Sequence, residues 1–152
     1  MSPNLEEYHV KLEAMMAEGD AMMAARDPAV SAAAKRRIAE TMLLIASYQM
    51  YVHRAVFAPL RTRRNQSRRD RVNELKVECI ALTEDLRFNI RDFLAKEEAL
   101  DWDLTAAKVL WFNGRVRVHI AAARRLMTPG LTDADCARLR ASRIGSVGVA
   151  AA

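Results

Sequence analysis

Apolar residues recur at three- and four-residue steps along four long stretches of the chain, which is the period of an amphipathic α-helix. Asn4 is a candidate N-cap of the first helix, and Pro28 ends that helix because a proline disfavours helical geometry in the residue before it. We expect the second helix to run from about 28 or 30 to 61 and to be kinked or ended by Pro59. The third spans about 67–98, and the fourth lies between "ALDWDL" and "TPG".

The inward face predicted for the second helix contains one polar position and one ambiguous position. It consists of Ile38, Met42, Ile45, Gln49, Val52 or His53, and Val56. Four amphipathic helices with short connections favour an all-α fold, an antiparallel up-down-up-down four-helix bundle. We expect the bundle to cover 1–130. A short C-terminal helix from Thr132 and a flexible tail, 131–152, belong to the same domain.

The composition favours one helical domain of moderate size. The chain has 152 residues, of which 51% are apolar, and only five glycines and four prolines. No apolar run reaches the roughly 18–20 residues that span a bilayer, and the N-terminus carries no secretory signal. The two cysteines show no CxxC spacing. We therefore expect reduced thiols and a soluble cytoplasmic protein that does not contact a membrane.

All three histidines of the chain fall on or beside inward helical faces. In an antiparallel bundle, His9, His53 and His119 come to the same end, together with Glu78 and, less directly, Glu74 of the third helix. Three imidazoles and a carboxylate from four helices can ligate a single divalent metal such as zinc or iron. These five residues are the candidate metal ligands.

The same residues also allow an explanation without a metal. Each histidine would then be a hydrogen-bonded residue of the core or of its boundary. For His53 the candidate partners are Gln49, Tyr48 or a glutamate. The residues leave both explanations open, so the expectation is no cofactor, with a single zinc or iron ion as the alternative.

Several short motifs resemble those of the hemerythrin-like (HHE cation-binding) four-helix bundles. They are a histidine in the first turns of helix one, "YVHRAVFAPLR" before the second loop, "ALDWDL" opening helix four and "HIAAARRLM" closing it. The resemblance covers about residues 5–127. It implies a bundle in which an HxxxE box in helix two, a similar box in helix four, and histidines from helices one and three hold two irons.

Compared with that pattern, this chain has lost most of the iron ligands. His9 matches the first-helix histidine, but the two boxes become Gln49-x-x-x-His53 and Arg115-x-x-x-His119. Helix three offers glutamates and a lysine but no histidine. A di-iron centre needs more imidazoles than the three present, so the resemblance implies the fold without the oxygen-binding function.

The loop between helices two and three is rich in arginine. The net charge of the chain is +5, and 19 of its 24 basic residues are arginines. Arginine binds phosphate through two parallel hydrogen bonds, so the loop admits contact with nucleic acid or an anionic partner. The sequence contains no nucleic-acid-binding motif, so nucleic-acid binding is not the favoured explanation. A solvated loop whose arginines cap helix two is simpler. The candidate residues are Arg61, Arg63, Arg64, Arg68, Arg69, Arg71 and, extending the surface, Arg115.

The expected function is that of a noncatalytic hemerythrin-like bundle that has lost its di-iron centre and serves in binding, sensing or interaction. One alternative is a metal-dependent or redox protein with an altered mononuclear centre. Another is an arginine-rich module that binds nucleic acid or an anionic partner. The partner is an unidentified protein or small molecule, and a homodimer is compatible with the Met-rich and aromatic faces. Trp102, Trp111 and Phe112 are candidates for a pocket wall, although aromatic residues at helical spacing are more often core.

Overall fold

A computed structural model of the chain describes residues 4–62, 64–95 and 101–128. The described residues form an all-helical structure with four long helical segments. Helix α1 is Leu5–Ala25, and a 3₁₀ turn at Pro28–Val30 leads into α2, Ser31–Tyr51. A π-helical turn, Val52–Phe57, joins α2 to the short α3, Ala58–Arg61, so that 31–61 is one continuous helical segment. Helices α4, Gln66–Ala95, and α5, Trp102–Met127, complete the order.

The start of α1 carries the cap that its sequence predicts. The Glu7 backbone N–H donates to Asn4 Oδ1 at 2.9 Å, and the Asn4 backbone N–H donates to Glu7 Oε2 at 3.0 Å. This reciprocal capping box satisfies two of the backbone donors that a helix start leaves open. At the other end, Arg26 adopts a left-handed conformation and ends α1 before Pro28. Asp101 likewise accepts from the Leu104 backbone N–H and is the N-cap of α5.

The predicted disturbance at Pro59 is a wider helical turn rather than a break. Proline has no N–H to give to the carbonyl four residues earlier, and its ring crowds that carbonyl. The preceding residues adopt π geometry, in which the Ala58 backbone N–H donates to the carbonyl of His53. The helix therefore continues past the proline to Arg61. Wider turns of this kind inside helices are frequently found at functional sites.

Each long helix packs against two others, and a continuous apolar core fills the space between them. Helix α1 contacts α2 and α5, and α4 contacts α2 and α5. The most deeply buried side chains include Leu12, Val52, Phe57, Val72 and Ile120. Burying aliphatic and aromatic side chains of this size contributes roughly 1.5–3 kcal/mol each, which makes this core the main source of stability.

The predicted inward face of the second helix is wrong at one position. Tyr48 is 2% exposed, whereas Gln49 is only half-buried. Of the ambiguous pair, Val52 is fully buried and His53 is half-buried. The buried positions Ile45, Tyr48 and Val52 follow the same three- and four-residue spacing, so the periodicity alone allowed either choice. The polar residue in the core is therefore a tyrosine rather than a glutamine.

Some predictions from the sequence concern residues that the structure does not describe. The short helix from Thr132, the tail and Arg63 lie outside the described ranges. Within those ranges, none of the helices combines the length and the apolar character that crossing a bilayer requires.

Gly114 offers a test of how α5 is packed. It lies mid-helix and exposed, and nothing stands within 4 Å of the position that a Cβ would occupy. Alanine restricts the unfolded chain more than glycine does, so Gly114→Ala should raise the free energy of unfolding by about 0.5–1 kcal/mol. Urea denaturation measures this. The exposed Ala121→Gly in the same helix is the reverse control and should lower stability by a similar amount; a destabilised Gly114→Ala would mean that another surface approaches α5 here.

Candidate functional site

A chain of three polar side chains crosses the apolar core. The Tyr48 hydroxyl lies 3.0 Å from Nε2 of His119 and 3.4 Å from Nε2 of His9. The three residues come from α2, α5 and α1 respectively, and they are 2%, 2% and 0% exposed. We call them the His–Tyr–His cluster. Buried polar groups in an apolar core are costly unless they are hydrogen-bonded, so these contacts determine how the three helices meet.

The hydrogen bonds of the His–Tyr–His cluster have a direction. A phenol has one proton, so Tyr48 donates to one imidazole nitrogen and accepts an N–H from the other. One histidine must therefore carry its proton on Nε2, and the other must leave Nε2 free to accept. The Nδ1 atoms of His9 and His119 have no hydrogen-bond partner among the described residues. The Glu6 carboxylate is 3.7 Å from Nδ1 of His9, which is an electrostatic contact rather than a hydrogen bond.

Burial keeps the cluster uncharged at neutral pH. Desolvation lowers the pKa of His119 to about 4, and the nearby His9 and His53 add to the effect. Desolvation also lowers the pKa of His9, assisted by the charge of Arg124. The same burial raises the pKa of the Tyr48 phenol. The cluster at neutral pH is therefore two neutral imidazoles joined by a neutral phenol.

His53 lies beside the cluster but outside its hydrogen bonds. It belongs to the π-helical turn, and its ring centroid is 5.5 Å from that of Phe57. Its Nε2 atom is buried and has no hydrogen-bond partner within the described part of the chain. Burial, and then the charge of Lys76, lowers the pKa of His53. Tyr48, a candidate partner of His53, is hydrogen-bonded to the other two histidines.

The two candidate carboxylate ligands lie away from the His–Tyr–His cluster. Glu78 accepts from Nε and Nη2 of Arg115 at 3.2 and 3.1 Å. Asp85 accepts from Nη1 of the same arginine at 2.5 Å, and the guanidinium lies 4.7 Å from the centroid of the Trp111 ring. Glu74 is exposed. Arg115 therefore clamps α5 to α4 and its charge is paired with two carboxylates, so its part in an anion-binding surface stays a prediction.

The donor set does not fit a di-iron centre. Among residues 4–62, 64–95 and 101–128, no three His, Cys, Asp or Glu side chains converge as metal ligands would. The Nε2 atoms of His9 and His119 both face the Tyr48 hydroxyl, and Glu78 is held by Arg115. A single metal between the two imidazoles would first have to displace that hydroxyl. The four-helix metal site therefore stays a prediction, and the structure brings together only two of its five residues.

The arginine-rich loop is partly used by the fold itself. Arg68 Nη2 donates to the Leu126 carbonyl at 2.8 Å, which satisfies one of the last carbonyls of α5 rather than of the second helix. Arg69 donates to Gln66, and Arg71 also makes an interaction. Arg61 and Arg64 are exposed. Within the described part of the loop, these two are the arginines best placed for an external anion.

A cavity of about 440 Å³ lies between the four long helices. Its walls come from the second half of α1, the first half of α2, the end of α4 and the first half of α5, whereas the histidines lie in the opposite halves of these helices. Two of the aromatic candidates, Trp111 and Phe112, line it, and so does Phe93. Four methionines of α1 form much of one wall: Met15, Met16, Met22 and Met23.

No protein-family model matches this sequence, and no curated protein or solved structure matches the chain. The hemerythrin-like resemblance therefore stays a prediction that depends on the motifs quoted above. Function has to be argued from the two features of the fold itself, the His–Tyr–His cluster and the cavity.

Two important residues were missed by the sequence reasoning. Tyr48 was considered only as a partner of His53, although its spacing from Ile45 and Val52 places it on the inward face. Asn113 is 5% exposed and donates to the Met16 carbonyl at 3.3 Å and to Asp20 Oδ1 at 2.7 Å. An asparagine next to the predicted inward residue Phe112 was the available signal. Asp20 in turn accepts from Arg117 at 2.5 Å, so these polar groups tie α1 to α5 beside the cavity.

Proposed function

We propose that this protein is a noncatalytic binding domain built on a hemerythrin-like four-helix bundle that has lost the di-iron centre. The observation that carries the proposal is the His–Tyr–His cluster, in which a phenol takes the place between two imidazoles where a metal would be held. Within the cluster the Tyr48 hydroxyl pairs with Nε2 of both histidines, and all three side chains are almost fully buried. Such a cluster stabilises one arrangement of helices and offers no accessible nucleophile or base to a substrate.

We also infer that the helices run up, down, up and down. The start of α1 meets the end of α5, because Arg124 donates to Glu6 at 3.1 Å and to Glu13 at 2.6 Å. The Tyr8 and Ser47 hydroxyls, 2.8 Å apart, bring the start of α1 to the end of α2. The contact of Arg68 with the Leu126 carbonyl brings the start of α4 to the end of α5. Antiparallel neighbours joined by short connections account for all three contacts.

The other candidate functions have weaker support from the described residues. A mononuclear metal centre needs ligands that converge, and Glu78 is already paired with Arg115. A nucleic-acid-binding module needs arginines that are available to phosphate, and Arg68, Arg69 and Arg115 already donate to other groups of this chain. The free thiol of Cys79 is buried, and burial raises its pKa to about 12, so it is a core residue rather than a reactive one. A reduced, cytoplasmic protein agrees with this thiol.

The metal content of the protein tests the proposal. We expect protein purified without an affinity tag to contain neither iron nor zinc in stoichiometric amount and to lack visible absorption. Added Zn²⁺ or Fe²⁺ should leave the thermal unfolding midpoint unchanged. A ligand that binds the folded state at a concentration of 100 times its Kd would add about 2.7 kcal/mol of stability, which such a scan detects readily.

His53→Ala and His119→Gln are the variants to compare in the same assay. Stoichiometric metal that is lost in either variant would contradict the proposal and favour the mononuclear centre. The mass of the protein in solution, measured on the same samples, distinguishes a monomer from a homodimer.

A further inference from the structure

We propose that the outer face of α5 binds the same face of a second copy of this chain, so that two bundles associate through an antiparallel pair of α5 helices. Seven residues of this face follow one another at alternating steps of three and four, and we call them the α5 seam: Leu104, Ala107, Trp111, Gly114, Val118, Ala121 and Arg125. The inference rests on the proposed function only in treating the protein as a binding domain. None of the candidate metal ligands belongs to the seam.

The α5 seam is exposed, although Arg125 is its only charged residue. Leu104, Trp111 and Val118 are 50%, 58% and 68% exposed, and the small residues that follow each of them are exposed as well. The buried residues of α5, among them Phe112, lie on the opposite side of the helix. Exposed apolar residues in one continuous row mark a surface that binds another protein, and tryptophan is enriched at such surfaces.

The spacing of the α5 seam is that of a helix that pairs with another helix. Steps of three and four residues add up to a repeat of seven, which is the heptad pattern of two-stranded coiled coils. The pattern continues without interruption from Leu104 to Arg125, which is most of the 26-residue helix. At about 1.5 Å per residue the seam is roughly 33 Å long. A second helix is therefore the partner that fits it along its whole length.

Large and small residues alternate along the α5 seam in an order that is complementary to itself. In an antiparallel pair centred between residues 112 and 113, every layer joins a large residue of one copy to a small residue of the other: Leu104 to Ala121, Trp111 to Gly114, and Val118 to Ala107. Facing large and small residues fill the space between two helices without gaps. A parallel pair would place Trp111 against Trp111 and Gly114 against Gly114, which crowds one layer and leaves the next one empty.

Gly114 has no contact within its own chain that requires a glycine. Among the described residues, nothing stands within 4 Å of the position that its Cβ would occupy. Glycine inside a helix is destabilising by roughly 0.5–1 kcal/mol relative to alanine. An open groove lies beside Gly114, and Leu75 and Glu78 of α4 form its other side. In the antiparallel pair the Trp111 ring of the second copy occupies this space, which accounts for the missing side chain.

The area of this face agrees with a reversible dimer. A standard interface buries about 800 Å² on each partner through roughly 20–30 residues. The seam and its neighbours on α5 and α4 provide about half as many residues, or on the order of 400 Å² per copy by the same ratio. We therefore expect monomer and dimer in equilibrium at micromolar concentrations rather than an obligate dimer.

The charges that border the α5 seam nearly cancel. Three arginines of α5 are paired with carboxylates of the same chain: Arg115 with Glu78 and Asp85, Arg117 with Asp20, and Arg124 with Glu6 and Glu13. The remaining charges are Lys108, Arg125, Asp101 and the pair of Asp103 with Arg26. This face therefore carries six positive and seven negative groups, whereas the whole chain has a net charge of +5. Two copies repel each other less across this face than their net charge suggests.

The antiparallel arrangement also brings opposite charges together. Lys108 and Arg115 are seven residues apart and so lie on the same side of α5. Lys108 of one copy therefore meets Arg115 of the other, whose two carboxylate partners make that group net negative. Arg125 comes to the level of Asp101 of the second copy. A parallel pair would instead bring each of these groups beside its own counterpart, where like charges repel.

Sedimentation equilibrium of the full-length protein without an affinity tag, from about 5 to about 500 μM, tests the proposal. We expect a reversible monomer–dimer equilibrium in this range. Val118→Glu should weaken dimerisation by tenfold or more, because burying a charge in an apolar contact is costly. Val77→Glu is the matched control, since Val77 is 66% exposed on α4 and lies outside the seam. It should leave dimerisation unchanged.

Two seam residues test the register itself. Gly114→Leu should weaken dimerisation by tenfold or more, because two large side chains then share one layer. Trp111→Ala should also weaken it, because it removes the large member of that layer. In the double variant a leucine faces an alanine, so it should dimerise more tightly than either single variant. Thermal unfolding establishes that each variant is folded, and both positions are exposed, so the core is left intact.

Three results would overturn the proposal. A protein that stays monomeric up to about 500 μM does not form this dimer. A dimer that Val118→Glu leaves intact, or that Val77→Glu weakens equally, associates through another surface. A dimer that Gly114→Leu strengthens has parallel helices, because leucine then fills the gap between two glycines. None of these results concerns bound iron or zinc, so a failure here is distinguishable from a failure of the proposed function.

Discussion

Replacing Tyr48 by phenylalanine should destabilise the protein by about 2–4 kcal/mol. The aromatic ring remains, so the volume of the core is preserved and no cavity forms. The substitution removes only the hydroxyl that satisfies Nε2 of both His9 and His119. Leaving a buried hydrogen-bonding group without its partner costs about 1–3 kcal/mol, and here two imidazoles lose theirs. Urea denaturation at neutral pH, followed by circular dichroism, measures the change.

Tyr8→Phe is the matched control for this experiment. Tyr8 is also buried, and its hydroxyl is 2.8 Å from that of Ser47, which is exposed. Water can replace the lost partner, so this change should cost only about 0.5–1.5 kcal/mol. Equal effects of the two substitutions would show that the Tyr48 hydroxyl does not link the histidines. A double variant, Tyr48→Phe with His119→Leu, should lose less unfolding free energy than the two single variants lose together, because it removes both members of the shorter hydrogen bond.

Acid should destabilise the protein before its carboxylates titrate. The pKa of His119 is lowered to about 4 in the folded state, against 6.5 for an ordinary histidine. The unfolded chain therefore binds more protons than the folded one between these values. The stabilising contribution is fully present above about 6.5 and is lost as the pH falls towards 4. With about 1.36 kcal/mol for each pKa unit, the loss from His119 alone is about 3 kcal/mol.

His9 reinforces this effect and one carboxylate acts at lower pH. The pKa of His9 is also lowered by burial, so its contribution has the same sign and the same upper limit. Glu6 has its pKa lowered from 4.5, chiefly by its hydrogen bond with Arg124, so its contribution is lost only below that value. Destabilisation between about pH 6.5 and 4.5 therefore reports on the buried histidines.

His119→Gln isolates the histidine contribution. Glutamine can still hydrogen-bond to the Tyr48 hydroxyl but does not titrate. The free energy of unfolding of this variant should depend much less on pH in the same window, with His9 and the half-buried His53 supplying what remains. His53→Gln, at a half-buried position outside the hydrogen bonds of the cluster, is the control and should retain most of the pH dependence of the parent protein, because burial is the main cause of the lowered pKa of His119. An unchanged slope in His119→Gln would show that His119 is not the group that resists protonation.

Local sequence signals determined most of the helical structure. The capping residues Asn4 and Asp101 lie where the backbone of a helix start needs an acceptor, so both boundaries could be predicted from a few residues. Pro59 likewise predicted a disturbance of the second helix, because proline has no backbone N–H. Its form, a π-helical turn that keeps the helix continuous, depends on the contacts of Val52, Val56 and Phe57 with the core.

The two candidate sites depended on how the helices are rotated and paired. Periodicity placed His9 and His119 on inward faces, but a rotation of α2 by one position decides whether Tyr48 or Gln49 meets them. That rotation reflects the packing of the whole core, in which a phenol fits between two imidazoles. The pairing of Glu78 with Arg115 also depends on how the helices pack, because the two residues belong to α4 and α5 and meet only where these helices are in contact.

The sequence by itself determined an all-helical protein with four long amphipathic helices, since caps, proline positions and apolar spacing act within a few residues. Only the tertiary structure decided which polar groups share the core and where the space between the helices is left open. A hydrogen bond between residues 71 positions apart and a cavity lined by four helices exist only when distant surfaces meet. Their free energies depend on that fit, and the local pattern of residues does not encode it.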